Sequence, residues 1–198
     1  MDSVGTVTRI TEGIYSRDNH GFSFYSLADG TCWVVWSAYG PEGSRSFARH
    51  VGGTGPGDIY SLGKSDTSQV CPRCVPGDIP TIVWLEAEDD TYSVCSRDVV
   101  EGELTPPRTV CRLPKRAKPG GLQAIRTENG ALWVAWAQSE VRSSTIEILQ
   151  LSPDRKTVSL SLTAGTRRDY RPRLVAVGAS DVHLVWDAYV DGTYDVYG

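Results

Sequence analysis

Short apolar runs that close on a tryptophan form the strongest pattern in this chain. Each run is largely apolar on both alternating faces, and the four are Trp33–Trp36, Thr81–Trp84, Trp133–Trp136 and His183–Trp186. Their closing tryptophans lie 48, 52 and 50 residues apart. A period near fifty indicates a repeat architecture. Because both faces are apolar, each run is predicted to be a strand that is buried on both sides.

Alternating strands and turn signals surround each run. Asp29-Gly30, Asn129-Gly130 and Asp191-Gly192 are two-residue hairpin signals. Residues 141–151 are the one rival for a helix, but they show no clean helical stripe and align with strands elsewhere. The sequence therefore predicts a single all-β domain over residues 1–198. It is divided into four units, which span residues 22–62, 68–113, 121–162 and 172–198.

Residues 4–10 are predicted to form a further strand outside these units. With one gap, Thr6–Gly13 aligns with Thr157–Gly165, the outer strand of the third unit, whereas the fourth unit shows only three strands. Two interpretations follow. Either the strand 4–10 closes a complete ring of four units, or the chain is a fragment of a larger ring. A fragment would expose sheet edges, and exposed edges favour self-association.

The fourth unit carries a family resemblance. Its segments Arg171–Ala176, Val182–Tyr189 and Asp191–Tyr197 resemble the repeat of TolB-like and sialidase-like bacterial β-propeller proteins. The resemblance implies a β-propeller with four blades of about fifty residues. Such families are often periplasmic or secreted, yet the first residues show no signal peptide, so the compartment stays open. The sialidase Asp-box is only partly matched, by Asp29–Trp33 between two strands, so sialidase catalysis is not carried over.

Composition narrows the function. The hydrophobic share of 40% and the charged share of 22% are those of a globular domain. The net charge of −4 argues against nucleic acid as a partner, and no apolar run is long enough for a membrane helix. No sequence motif for a cofactor or a catalytic triad is present. We expect a non-catalytic binding or scaffold domain for a protein or carbohydrate ligand; the alternative is a glycoside hydrolase of the sialidase-like type.

Charged loops are the candidate ligand-binding residues. In a propeller, the loops that enter each first strand share one face with the loops between second and third strands. They would converge on one mouth of the channel, where arginines could bind anionic or carbohydrate groups. The alternative is that they only solvate the loop rim. The candidates are Arg17, Asp18, His20, Asp66, Arg116, Arg168 and Asp169.

Four cysteines of the second unit leave three alternatives open. Cys71 and Cys74 flank a Pro-Arg pair, and Cys95 and Cys111 lie on later strands of the same unit. They are buried thiols, or they form one or two disulfides, or all four bind zinc. The spacing is no standard zinc pattern.

Aromatic residues have two possible roles. Tyr39, Trp84 and Tyr189 are candidate sugar-stacking platforms, but packing between blades is the expected role of such residues. The repeated closing tryptophan is predicted to be a packing wedge between neighbouring blades, so Trp36→Ala should destabilise the fold by roughly 3–5 kcal/mol. His183 replaces a tryptophan of the repeat and is predicted to be a core histidine.

Overall fold

The computed structural model describes residues 10–11, 18–52, 55–113, 118–139, 143–153, 157–162 and 168–198. Within these ranges the chain forms sixteen strands in four antiparallel sheets, and it forms no helix. The all-β prediction is confirmed.

Each sheet is one unit of the sequence repeat. Sheet 1 contains β1 (Asp18–Ser26), β2 (Cys32–Gly40), β3 (Gly43–Gly52) and β4 (Gly55–Ser61). Sheet 2 contains β5 (Ser68–Val75), β6 (Thr81–Glu88), β7 (Thr91–Val100), β8 (Glu103–Leu104) and β9 (Arg108–Arg112). Sheet 3 contains β10 (Lys118–Arg126), β11 (Leu132–Ser139), β12 (Ser144–Leu151) and β13 (Thr157–Leu162). Sheet 4 contains β14 (Arg168–Val177), β15 (Asp181–Val190) and β16 (Thr193–Tyr197).

The sheets pack in chain order. Sheet 1 contacts sheet 2, sheet 2 contacts sheet 3, and sheet 3 contacts sheet 4. The first strands β1, β5, β10 and β14 also contact one another in turn, so they are the innermost strands. Among the described residues no comparable interface joins sheet 4 to sheet 1. The predicted closing strand, residues 4–10, lies outside the described residues except for Ile10.

Closing tryptophans fill the interfaces between sheets. Trp84 clusters with Trp33 and Val35 of the preceding sheet, and Trp136 clusters with Val83 of its preceding sheet. Trp186 packs in the same way against residues of sheet 3. The predicted wedge role is confirmed at these three interfaces. Since dispersion and apolar burial scale with contact area, the large indole ring suits this position.

A bulge interrupts every first strand at the same place in the repeat. The pairing of the first with the second strand shifts register at this point in each sheet. The backbone takes a positive φ at Gly21 (60°), Cys71 (56°), Gly121 (64°) and Arg171 (45°). Only glycine adopts this conformation without strain, and a bulge bends the strand that carries it. The innermost strands are therefore kinked at fifty-residue intervals.

Burial on both sides holds for three of the four repeated runs. In β2, β6 and β11 nearly every residue of the run is buried or half-buried, whereas β15 alternates between half-buried and exposed positions. His183 is exposed, so its prediction as a core histidine is wrong. The physical reason is that no described residue covers the face of sheet 4 on which His183 lies.

Candidate functional site

Two sets of loops meet at one end of the sheets, which we call the strand-entry end: the loops that lead into β1, β5, β10 and β14, and the hairpins between second and third strands. Arg45 Nη1, beside the first hairpin, donates to the carbonyl oxygens of Lys64 (2.9 Å) and Thr67 (3.0 Å). At the next junction, Lys64 Nζ lies 3.6 Å from Glu88 Oε1. The two sets of loops therefore share a face, as the sequence predicts.

The candidate residues have different environments. Asp66 and Arg168 are exposed, the first in the turn before β5 and the second at the start of β14. Asp18 and His20 lie in β1, where the structure describes their backbone alone. Asp169 is only 1% exposed, so it is not a residue of the solvated rim. Arg17 and Arg116 lie outside the described residues.

Asp169 forms hydrogen bonds both within sheet 4 and to sheet 3. Its Oδ1 accepts a hydrogen bond from the indole Nε1 of Trp186 at 2.9 Å, and its backbone oxygen accepts one from Ser144 Oγ at 2.8 Å. Its Oδ2 is buried and has no hydrogen-bond partner. In sheet 2, Glu86 Oε2 accepts the equivalent bond from Trp84 Nε1 at 3.0 Å. Both carboxylates thus fix the closing tryptophan of their own sheet.

A buried polar network holds the loop that carries Lys64 and Asp66. Gln69 Oε1 accepts from the backbone N–H of Ser46 at 3.2 Å, and Gln69 Nε2 donates to the carbonyl oxygen of Thr67 at 3.3 Å. Together with the two bonds of Arg45, these contacts satisfy groups that would otherwise be costly to bury. The loop is therefore anchored to sheet 1, which fixes the backbone that carries its exposed charged residues.

Exposed tyrosines occur at equivalent ends of the second strands in sheets 1 and 4. Tyr39 is 58% exposed and Tyr189 is 40% exposed, and they lie 150 residues apart, which is three periods. Cross-strand pairing sets Asp18 opposite Tyr39 and Arg168 opposite Tyr189. In both sheets the tyrosine is therefore the register partner of a candidate charged residue. Trp84 is 0% exposed, so its role as a stacking platform is excluded, since neighbouring sheets cover it.

Sheet 4 adds groups that the sequence analysis did not identify. Tyr194 is 62% exposed, and its ring centroid lies 4.9 Å from that of Tyr189. Arg171 Nε donates to Asp187 Oδ2 at 2.9 Å, and this hydrogen bond and the charge of Asp187 raise the pKa of Arg171. The register that places Tyr194 beside Tyr189 was available from the hairpin at Asp191. The positive φ at Arg171 had no sequence signal.

All five cysteines are free thiols. Cys71 and Cys111 pack with the cluster between sheets 2 and 3, whereas Cys74 and Cys95 belong to the cluster between sheets 1 and 2. The two residues of the Cys-Pro-Arg-Cys motif therefore lie on opposite sides of the sheet. Within the described ranges no three or more His, Cys, Asp or Glu side chains form a group suited to a metal ion.

Burial makes three of the four thiols of sheet 2 poor nucleophiles. It raises the pKa of Cys74 and of Cys95 to about 12 each, and it also raises the pKa of Cys111. Because the thiolate is the reactive form, these residues act as small apolar groups at neutral pH.

Known proteins share the fold of this chain at low sequence identity. No family model and no curated protein matches it. Among solved structures, a mannose phosphorylase from Leishmania mexicana matches at a TM-score of 0.56 and 13% identity, over 86% of this chain and 57% of that one. A puromycin-hydrolyzing peptidase from Mycobacterium tuberculosis matches at 0.50 and 17% identity, over 87% and 30%.

The fold is propeller-like. An endo-arabinase from Bacteroides thetaiotaomicron has 13% identity over 83% of this chain and 69% of that one, with a TM-score of 0.49. The chain spans little more than half the length of the phosphorylase.

In the part of the chain that the structure describes, no helix is long and apolar enough to cross a membrane.

Proposed function

We propose that this chain is a non-catalytic propeller domain that binds a carbohydrate at the strand-entry end. The observation that carries the proposal is the repeated pairing of an exposed tyrosine with a charged residue, Tyr39 with Asp18 and Tyr189 with Arg168. A tyrosine ring offers an apolar face for the C–H groups of a sugar and a hydroxyl for its polar edge. A guanidinium beside the ring adds charged hydrogen-bond donors.

The position of the tyrosines at the ends of their strands keeps their rings accessible to a ligand. The side of sheet 1 on which Tyr39 lies is covered by sheet 2, yet Tyr39 stays 58% exposed because it lies at the end of its strand, beside the hairpin. Asp66 and Lys64 are exposed at the same end. These features favour a shallow, open site over a deep one, and a carbohydrate over a flat protein surface as the ligand.

A glycan array followed by calorimetry tests this proposal. The array should give one class of glycan that binds, and Tyr189→Ala and Arg168→Ala should each lower its affinity at least about tenfold, equivalent to about 1.4 kcal/mol. Ile79→Ala is the matched control, because Ile79 is 52% exposed but precedes β6 at the opposite end. An array without a binding glycan, or variants that bind as tightly as the original chain, would contradict the proposal.

Glycoside hydrolysis is the second candidate function. It is supported by the likeness to a mannose phosphorylase and by Asp169, a buried carboxylate with an unpartnered oxygen on an innermost strand. A panel of fluorogenic glycosides separates the two candidates. Turnover that is lost in Asp169→Asn, with the melting temperature maintained, would establish the hydrolase and overturn the non-catalytic proposal.

A further inference from the structure

One position of the repeat carries a polar side chain on every innermost strand. It lies two residues after the kink, and it is occupied by Ser23 in β1, Arg73 in β5, Gln123 in β10 and Arg173 in β14. In each sheet the pairing with the second strand resumes at this residue. Because β1, β5, β10 and β14 contact one another in turn, the four residues follow the inner edge of the sheets. We call them the inner polar row.

The side chains of this row point from each sheet towards the next. Ser23 Oγ accepts a hydrogen bond from the backbone N–H of Cys74 in β5 at 3.2 Å, so it bridges the first two innermost strands. Arg73 pairs in register with Val83, whose side chain belongs to the cluster between sheets 2 and 3. Since paired residues of an antiparallel sheet share a face, Arg73 extends towards the inner strands of the following sheets.

The inner strands of sheets 3 and 4 touch at the same level. A Cβ added to Gly121, at the kink of β10, would lie 3.4 Å from Pro172 Cδ, next to the kink of β14. Gln123 and Arg173 follow these kinks, so they lie on strands in direct contact. Burial lowers the pKa of Arg73, and the positive charge of Arg173 lowers it further. The two guanidinium groups are therefore within electrostatic reach of each other.

Both arginines make the same backbone contact and have no counter-charge. Arg73 Nη1 donates to the carbonyl oxygen of Pro72 at 2.9 Å, and Arg173 Nη1 donates to that of Pro172 at 3.0 Å. Among the described residues no carboxylate forms an ion pair with either guanidinium. Each therefore keeps its remaining N–H donors and its full charge for a ligand.

Asp187 lies on the same face of sheet 4 as Arg173, but it is already engaged. It stands two residues along β15 from Val185, the register partner of Arg173. Its two oxygens, Oδ2 and Oδ1, accept hydrogen bonds from Arg171 Nε at 2.9 and 3.2 Å. The charge of Asp187 is therefore balanced by Arg171 at the kink, and that of Arg173 is not.

From this cluster we propose that the inner polar row binds a dianionic oxyanion, a phosphate or sulfate group, between Arg73 and Arg173, with Gln123 as a further donor. A guanidinium presents a planar fork of N–H groups that matches the oxygens of such a group. Two uncompensated positive charges favour a dianion over a carboxylate, which carries one charge. The site lies farther along β14 than Arg168, and it does not rest on the proposed carbohydrate.

Isothermal titration calorimetry of the full chain with sodium sulfate tests the site. At an ionic strength held constant with sodium chloride, one sulfate ion should bind per chain, and acetate should bind at least about tenfold more weakly. The ionic strength is fixed because added salt also screens the repulsion between the arginines. Absence of sulfate binding at millimolar concentrations, or equal affinity for acetate, would overturn the proposal.

Single substitutions locate the ion. Arg73→Gln and Arg173→Gln each remove one guanidinium and should lower the affinity for sulfate at least about tenfold. Arg112→Gln is the matched control, because it makes the same change of charge at an exposed position of β9, away from the innermost strands. It should bind sulfate like the original chain. Equal losses in all three variants would reflect net charge alone and contradict the site.

Thermal unfolding separates loss of the site from loss of the fold. Arg173 is exposed, so Arg173→Gln should melt close to the original chain when sulfate is absent. Sulfate should raise the melting temperature of the original chain and of Arg112→Gln, since a ligand that binds only the folded state stabilises it. The same rise in Arg173→Gln would show that sulfate acts elsewhere and would refute the assignment.

Two phosphates distinguish the source of the bound group. They are compared at about pH 8, where a phosphate monoester carries nearly two negative charges. Glucose 6-phosphate that binds no more tightly than inorganic phosphate would identify a free ion as the ligand. Binding at least about tenfold tighter would assign the phosphate to a larger ligand. Because sulfate and inorganic phosphate contain no sugar, failure of the glycan array leaves this result unaffected.

Discussion

Sheets 2 and 4 carry nearly the same sequence pattern and have different environments. In β6, all six residues from Thr81 to Glu86 are buried, because sheets 1 and 3 cover both faces. In β15, Leu184 and Trp186 are half-buried against sheet 3, while Val185 is 43% exposed. The apolar pattern of a strand therefore indicates how many of its faces are suited to burial. The neighbouring sheets determine how many of those faces are in fact covered. Sheet 4 has the apolar residues of a sheet that is covered on both faces, but among the described residues only sheet 3 covers it.

A charge placed at equivalent positions should give the largest difference between the two sheets. Val83 is 0% exposed, so Val83→Asp should destabilise the fold by more than about 4 kcal/mol, because it buries an unpaired carboxylate. Val185→Asp should change the free energy of unfolding by less than about 1 kcal/mol. Urea unfolding at concentrations low enough to exclude association measures both. Equal losses would show that the face of sheet 4 that carries Val185 is covered.

Truncation of the closing tryptophans should give an intermediate difference. Trp84 is 0% exposed, and Trp84→Ala should cost roughly 3–5 kcal/mol. Trp186→Ala should cost roughly 1–2 kcal/mol less, because Trp186 is only half-buried and loses less apolar contact. Both replacements remove the indole donor to a buried carboxylate, Glu86 or Asp169, so this contribution largely cancels. Chemical denaturation of the two variants under the same conditions is the measurement, and a greater loss for Trp186→Ala would contradict the comparison.

The pH dependence of stability should give the smallest difference. Cys74 in sheet 2 occupies the position that Leu174 has in sheet 4, and burial raises its pKa from 9.0 to about 12. As pH rises, the unfolded chain therefore releases this proton before the folded protein does. The stabilisation is present below pH 9 and is lost as pH rises towards 12.

The thiol is identified by comparing variants. The free energy of unfolding should fall less steeply between pH 9 and pH 12 in Cys74→Ala than in the original chain. Leu174→Ala provides the matched control, since it removes a similar packing contact but no titrating group, and it should retain the original slope. Identical slopes in Cys74→Ala and the original chain would exclude the thiol as the cause.

Much of the fold could be predicted because its causes are local. The period, the hairpin turns and the strands with two apolar faces are all properties of neighbouring residues. The bulges were missed because glycine marks only Gly21 and Gly121, while Cys71 and Arg171 adopt the same conformation under strain.

The candidate site was less predictable because burial depends on distant partners. Asp169 resembles a rim residue in sequence, but the indole N–H of Trp186 and the approach of sheet 3 bring it into the interior. His183 is the opposite case. Its strand is apolar, so burial was predicted, but no described residue covers the face on which it lies. Asp66 and Arg168 are exposed as expected, and their role in binding stays a prediction.

The kinks of the innermost strands are spaced by a constant number of residues. They fall at positions 21, 71, 121 and 171, whereas the closing tryptophan follows its kink by 15, 13, 15 and 15 residues. The second unit is thus two residues short between the kink and the tryptophan, and it regains them before the next kink. The later strands and loops of the second unit make up the difference, so the kinks keep their spacing of 50 residues. A whole unit could therefore be gained or lost between two kinks without displacing the others.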